Sequence, residues 1–166
     1  MLTWHEEHIA KSHPRSQFHC GERSIDEFLA RYARQEDTMG VAKTFLAIDD
    51  ANGAIVGFYT LTVESVPVSL MPEDYQKRLG HHNIPFFLLA RLGVDRAYQG
   101  QGIGGQLLVA AAHRCITVAA EVGGLGLLID AKSPELAAWY KKFGAVALPS
   151  DPLRLFIPLE TFSQYM

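Results

Sequence analysis

The sequence predicts a mixed α/β fold, in which antiparallel N-terminal strands precede one strand-helix-strand unit. Three observations carry that prediction. Strand-length apolar runs alternate with segments of helical periodicity. Asn52-Gly53 separates two such runs at hairpin spacing. Finally, Gln99-Gly100-Gln101-Gly102-Ile103-Gly104 stands between an apolar run, residues 86 to 94, and a long stretch with Ile103, Leu107, Leu108, Ala111, Cys115, Val118 and Val122 at helical spacing.

After an irregular opening, Ser24-Ile25-Asp26-Glu27 reads as a capping box that starts a first helix. Ile25, Phe28, Leu29 and Tyr32 share its apolar face, and Gly40 stops it. Residues 43 to 49 and 54 to 63 are predicted strands around Asp50-Ala51-Asn52-Gly53, where Asn-Gly supplies the positive φ angles of a tight turn; Gly57 is a candidate bulge. Residues 72 to 79 read as a short helix opened by Pro72, and residues 80 to 85 as a loop into the strand that ends at Val94. The long helix closes at Gly123-Gly124, and residues 125 to 130 form the next strand. Ser133-Pro134-Glu135 then gives an N-cap, a first-turn proline and an acid for a helix that runs to Gly144. Residues 153 to 159 supply the last strand. From Phe86 to Asp130 the order is βαβ, which implies two parallel strands with a ligand at their carboxyl ends.

The 166 residues fit a single domain, 1–166, and 48% hydrophobic with 20% charged content is that of a chain with a sizeable core. A net charge of -3 gives no global attraction to nucleic acid or anionic membrane, so an anionic partner needs a local basic patch. Cys20 and Cys115 are expected as reduced thiols of a cytoplasmic protein, with a disulfide as the alternative. The opening residues are neither basic nor apolar, and no stretch reads as the ~20 apolar residues of a membrane span, so no membrane association is expected. His5, His8, His81 and His82 lack further ligands at familiar spacing, and no metal is expected.

A glycine turn that opens a helix aims free N–H groups and the positive dipole end at one spot, and glycine lets an anion approach the main chain. The phosphate loop of nucleotide hydrolases is excluded, because Gly104-Gly105-Gln106 stands where Gly-Lys-Ser/Thr is needed. Gly100, Gly102 and Gly105 meet the spacing of a dinucleotide fingerprint. The motif nevertheless lies two-thirds along the chain, after a hairpin and within one βαβ unit, which is the wrong context for NAD.

Gln99, Gly102 and Gly104 match the loop Gln/Arg-x-x-Gly-x-Gly/Ala of the GCN5-related N-acetyltransferases (GNAT), which this chain resembles. The resemblance implies the GNAT acyl-CoA N-acyltransferase fold and acetyl-CoA as co-substrate. It implies that Leu92, Gly93 and Val94 pair through their backbone with the pantetheine arm, and that Gln99, Gly100, Gln101, Gly102, Ile103, Gly104 and Gly105 receive the pyrophosphate. Ala138-Trp139-Tyr140-Lys141-Lys142-Phe143-Gly144 resembles the family segment whose tyrosine returns a proton to the departing thiolate, so Tyr140 is the expected general acid. A phenol with a pKa of about 10 carries its proton at neutral pH.

Further stretches are similar to the acetyltransferase toxins of toxin-antitoxin modules that acetylate aminoacyl-tRNA. They are Phe18-His19-Cys20-Gly21, Ile25-Asp26-Glu27-Phe28-Leu29, Gly57-Phe58-Tyr59-Thr60-Leu61, Ile84-Pro85 and Leu88-Leu89-Ala90-Arg91-Leu92-Gly93-Val94-Asp95. That similarity implies a block of translation, a homodimer, and a ribbon-helix-helix antitoxin that represses the operon. An α-amine beside an ester is less basic than a lysine, so alignment, an oxyanion donor from the strand and proton return are the main requirements. Glu64 and Asp95 are candidate bases, neither assigned. Arg31, Arg34, Lys77, Arg78, Arg91, Arg96, Lys141 and Lys142 are candidates for the basic patch. Two other functions fit the same fold: acetylation of a protein N-terminus or small amine, and a non-catalytic CoA-binding subunit of a repressor complex.

Overall fold

The computed structural model describes residues 1–165, and the backbone alone of Tyr165. The described elements run β1 (Trp4–His8), α1 (Arg23–Glu27), α2 (Ala33–Met39), β2 (Lys43–Asp49), β3 (Ile55–Val66), α3 (Glu73–Leu79), β4 (Ile84–Val94), α4 (Ile103–Val122), β5 (Gly126–Asp130), α5 (Pro134–Lys141), β6 (Val146–Leu148) and β7 (Asp151–Pro158). The strands lie in the order β1-β2-β3-β4-β5-β7-β6. Two compact units share this chain: Met1–Thr62 with Ala90–Ala111, and Val63–Leu89 with the chain from Ala112 onward. Strands β3 and β4 and helix α4 run from one into the other.

In the first unit β1 pairs antiparallel with β2, from Trp4 opposite Asp49 to His8 opposite Phe45, and β2 pairs antiparallel with β3. Strand β1 stands where the sequence suggests an irregular opening. Trp4-His5-Glu6-Glu7-His8 lacks apolar alternation, and edge pairing organises it instead. Its polar side chains find partners: Tyr59 donates to Glu6 at 2.9 Å, and His8 meets Asp37 at 2.7 Å. Within the predicted first helix, α1 and α2 are separated by a π turn, Phe28–Tyr32. The extra residue of that wider turn rotates Tyr32 off the apolar face; it is 49% exposed, whereas Phe28 and Leu29 are buried. The Ser24 capping box does not form. The cap is Glu22, Ser24 lies inside the helix with its hydroxyl donating to Glu22, and Asp26 accepts from Cys20 N–H at 2.8 Å, which ties the helix start to the preceding segment.

The β2–β3 turn has positive φ only at Gly53 (74°), so Asn52 does not share the left-handed geometry expected of it. Its side chain accepts from the Ala54 N–H instead, at 2.9 Å. The register slips as Ala47 faces Gly57 and Ile48 faces Ile55, which places a bulge beside Gly57. Gly57 also permits a close approach: a Cβ there would stand 2.8 Å from both the Gly93 carbonyl and Leu107 Cδ1. Ile9, Phe18, Phe28, Leu29, Ala33, Leu46, Ile48, Ile55 and Phe58 form the core of this unit.

In the second unit β4 runs parallel to β5, with Phe87, Leu88 and Leu89 opposite Leu127, Leu128 and Ile129, as the βαβ reading requires. Strand β5 pairs antiparallel with β7, and β7 with the three-residue β6, which is too short to show periodicity in the sequence. Its core gathers Val66, Met71, Ile84, Phe86, Leu128, Leu148 and Phe156, with Tyr75 edge-on to Phe156.

Helix α4 buries Ile103, Leu107, Leu108, Ala111, Ala112 and Cys115, but its last turns expose Val118 and Val122, which the predicted face had included. By length and composition α4 is apolar enough to cross a membrane, contrary to the sequence expectation, and about a third of that stretch is buried inside the protein. Both cysteines are free thiols, as expected. Burial pushes the Cys115 thiol up to about 12, and burial followed by the Asp26 hydrogen bond pushes Cys20 to about 11.

Candidate active site

Strand β4 ends at Val94, and the chain then makes a 3₁₀ turn, Arg96–Tyr98, before α4 begins at Ile103. Asp95 fixes that turn. Its Oδ1 accepts from Ala97 N–H and its Oδ2 from His19 N–H, both at 3.0 Å, while its own N–H donates to Val56 O at 2.8 Å. With both oxygens held by the main chain, Asp95 caps and crosslinks the loop. Tyr98 anchors the other side by donating to Asp49 at 2.8 Å.

Gln99 completes the fastening. Its Nε2 donates to Cys20 O at 2.7 Å and to Val94 O at 2.8 Å, so one amide joins the strand end, the loop and the Phe18-His19-Cys20-Gly21 segment. The Nε2 donors are thus committed to main-chain carbonyls at an exposed site. Gly100 and Gly102 follow, each at φ 81°, a left-handed conformation that side chains disfavour, and a Cβ on either would project into open space. Gln106 N–H donates to Gly102 O at 3.2 Å as the first bond of α4. The N–H groups of Ile103, Gly104 and Gly105 therefore precede the helical ladder, and the first turn carries no acidic side chain. Open space over two left-handed glycines, free amides and the positive dipole end suit a pyrophosphate. The residues present thus fit the phosphate part of coenzyme A.

Leu92, Gly93 and Val94 close β4. Gly93 is glycine for packing on one face: a Cβ there would come within 3.0 Å of Ile25 Cγ2 and 3.4 Å of Phe18 Cζ. Leu92 and Val94 are half-buried. The loop is thus built on aromatic and aliphatic packing that fixes the strand's backbone.

In the second unit α5 starts at Ser133, whose Oγ accepts from Leu136 N–H at 3.1 Å, with Pro134 at the first helical position, as the sequence indicates. Tyr140, on α5, is 8% exposed and packs edge-on to Trp139 with ring centroids 4.9 Å apart. Burial pushes its phenol well above the ordinary value near 10, so it stays protonated through the physiological range. Glu64, a candidate base, instead pairs with Arg154, whose Nε also stands 2.9 Å from Asp130. Asp130 is raised from its ordinary value by burial and by the charge of Asp151.

The predicted basic residues fall in both units. Arg31 and Arg96 border a single cleft in the first unit together with Arg23, which sequence spacing did not single out. Arg91 is half-buried, with its guanidinium 4.5 Å from the Phe28 ring centroid. In the second unit Lys77 pairs with Glu73, and Arg78 lies over Tyr75. No cluster of side chains suited to a metal ion occurs among the described residues.

The acetyltransferase (GNAT) domain family matches residues 41–144, a span that contains β4, the glycine turn and Tyr140. The probable toxin TacT of Sinorhizobium fredii is 30% identical over 162 residues, covering 93% of this chain and 90% of its own length. A tRNA-acetylating toxin of Mycobacterium tuberculosis is 34% identical over 142 residues, covering 86% and 84%. Among solved structures, AtaT complexed with acetyl-methionyl-tRNAfMet superposes with a TM-score of 0.90 at 24% identity, over 98% of this chain and 99% of its own. A tyrosine-to-phenylalanine variant of AtaT, bound to the C-terminus of antitoxin AtaR and acetyl-CoA, gives 0.82 at 22% identity over 98% and 97%. The structural matches establish the fold. With a family match over well more than half of its length, the chain belongs to the GNAT family of N-acetyltransferases.

Proposed function

We propose that this acetyltransferase is a toxin that uses acetyl-CoA to acetylate the amino group of aminoacyl-tRNA and so blocks translation. The observation that carries the donor assignment is the open glycine turn at the start of α4, inside a segment that matches the GNAT family. The acceptor assignment is supported by the relatives that cover most of the chain, one a probable toxin and one a tRNA-acetylating toxin. Acetyl-CoA, when bound, supplies the activated acyl group and a thiolate leaving group.

In this reading the N–H groups of Ile103, Gly104 and Gly105 bind the pyrophosphate, and Gly100, Gln101 and Gly102 keep the approach clear. Gln99 holds that turn in shape. Backbone groups of Leu92, Gly93 and Val94 align the pantetheine arm as an added strand would and donate toward the developing oxyanion. Tyr140 delivers a proton to the departing sulfur from a phenol that is neutral before transfer. Water takes the proton of the weakly basic α-amine, because Asp95 is spent on the loop and Glu64 on Arg154.

The proposal extends to a single catalytic domain over residues 1–166, a cytoplasmic setting, a homodimer, and inhibition by a ribbon-helix-helix antitoxin. AtaT bound to part of its antitoxin supports the antitoxin in kind. Purified protein with labelled acetyl-CoA is expected to transfer label to aminoacyl-tRNA, and Tyr140→Phe to slow single-turnover transfer by about 100-fold or more. Label on a peptide N-terminus or small amine, with none on aminoacyl-tRNA, would overturn the acceptor; no turnover with any amine would overturn the enzyme.

A further inference from the structure

Residues of the first unit enclose a cleft of about 550 Å³ that the transfer chemistry leaves unused. Its walls come from three places: the Phe18-His19-Cys20-Gly21 segment, the outer face of α1 and the π turn, and Arg96 in the loop after β4. Arg23, Arg31 and Arg96 border it, with Asp26 and Glu27 as its carboxylates.

The two acids have other partners. Asp26 accepts from Cys20 N–H at 2.8 Å, and Glu27 lies 3.7 Å from Arg31, one helical turn away. Arg23 and Arg96 form no ion pair or side-chain hydrogen bond among the described residues, and both are exposed. In a chain of net charge -3, they place two unmatched positive charges on one concave surface. They present planar forks of donors, the geometry that suits phosphate oxygens. His19, with its side chain 68% exposed, adds a ring at the same rim. The cleft is also fixed in place: Gln99 and Asp95 tie residues 19 and 20 to the loop, and Arg96 N–H donates to His19 O at 2.8 Å.

We propose that this cleft, through Arg23 and Arg96, is a seat for sugar-phosphate backbone of the RNA acceptor, apart from the amide cradle for the donor. The inference rests on the function proposed above. An RNA backbone, rather than the phosphates of coenzyme A, is favoured because the cradle already offers the donor its own anion site at α4, whereas this cleft is an open concavity on the side of α1. Local pairing of this kind reconciles an acidic chain with a polyanionic substrate.

The test measures equilibrium binding of uncharged tRNA by fluorescence anisotropy across a series of potassium chloride concentrations, with acetyl-CoA affinity measured in parallel by calorimetry. Each phosphate contact contributes roughly 0.7 to 0.9 to the slope of log affinity against log salt. The double variant Arg23→Ala/Arg96→Ala is expected to lower that slope by ~1.4 to ~1.8, so that affinity lost between about 50 and 200 mM salt shrinks by about seven- to twelvefold. Its acetyl-CoA affinity stays within about twofold of wild type. Arg23→Lys/Arg96→Lys, which keeps the charge, is expected to restore most of the slope, separating charge from packing. An unchanged tRNA slope in the alanine variant overturns the proposal. So does a fall in acetyl-CoA affinity alone, which would assign the cleft to a coenzyme phosphate. If wild-type protein neither binds tRNA nor labels aminoacyl-tRNA, the functional reading fails with it; wild-type binding with an indifferent variant sinks the cleft alone.

Discussion

Removing the Gln99 amide tests whether this residue shapes the cofactor turn or touches the cofactor. Its Nε2 makes two short hydrogen bonds, 2.7 Å to Cys20 O and 2.8 Å to Val94 O. An intramolecular hydrogen bond of this kind contributes roughly 0.5–1.5 kcal/mol net, so the pair is worth about 1–3 kcal/mol, and an exposed site draws the sum toward about 1–2 kcal/mol. Gln99→Ala should therefore lower unfolding free energy in urea by about that amount. If Gln99 acts only by holding the turn, its loss can weaken acetyl-CoA by no more than the cost of re-forming the turn. At about 1.4 kcal/mol per factor of ten, that is roughly five- to thirtyfold. The assay is chemical denaturation alongside calorimetric titration with acetyl-CoA on the same protein. A loss of affinity beyond about 100-fold with unchanged stability would refute the reasoning, since it would mean that the side chain itself contacts the cofactor.

Three other outcomes are expected. Because burial raises the Tyr140 phenol above its ordinary range, single-turnover acetyl transfer should not lose its proton donor until well above pH ~10; a Tyr140-dependent fall in rate between pH 8 and 9 counts against that assignment. Gly57→Ala should destabilise by about 1–3 kcal/mol, because its Cβ would meet the Gly93 carbonyl and Leu107 at 2.8 Å; unchanged thermal unfolding would show that α4 can yield there. Ser133→Ala should cost about 1 kcal/mol in denaturant by removing the cap to Leu136 N–H, and Ser133→Asp should retain most of it; equal losses in both would exclude the cap as the cause.

The sequence carried the βαβ unit, the glycine turn and the α5 cap, because each depends on local chemistry. Gly100 and Gly102 do adopt positive φ, Ser133 does cap, and β4 and β5 are parallel. Strand β1 was not legible, since its residues alternate no apolar side chains and it exists by pairing with β2. Ser24 misled for a related reason: a capping pattern is only an option, and the tie from Cys20 to Asp26 moved the helix start to Arg23.

At the candidate site the division is similar. Residue identity alone marked an anion turn, a tyrosine on the helix after the next strand, and a resemblance that named the family. Which polar groups remain available was decided by tertiary structure. Gln99, Asp95 and Glu64 look equally free in the sequence, yet the first two are committed to backbone groups from residues 19, 20 and 94 and the third to Arg154. Arg23 and Arg96, 73 positions apart, meet at one cleft only after folding. Backbone conformation and helix ends are local properties and can be read along the chain, whereas the partner of a charge is fixed by what the fold brings within about 3 Å of it.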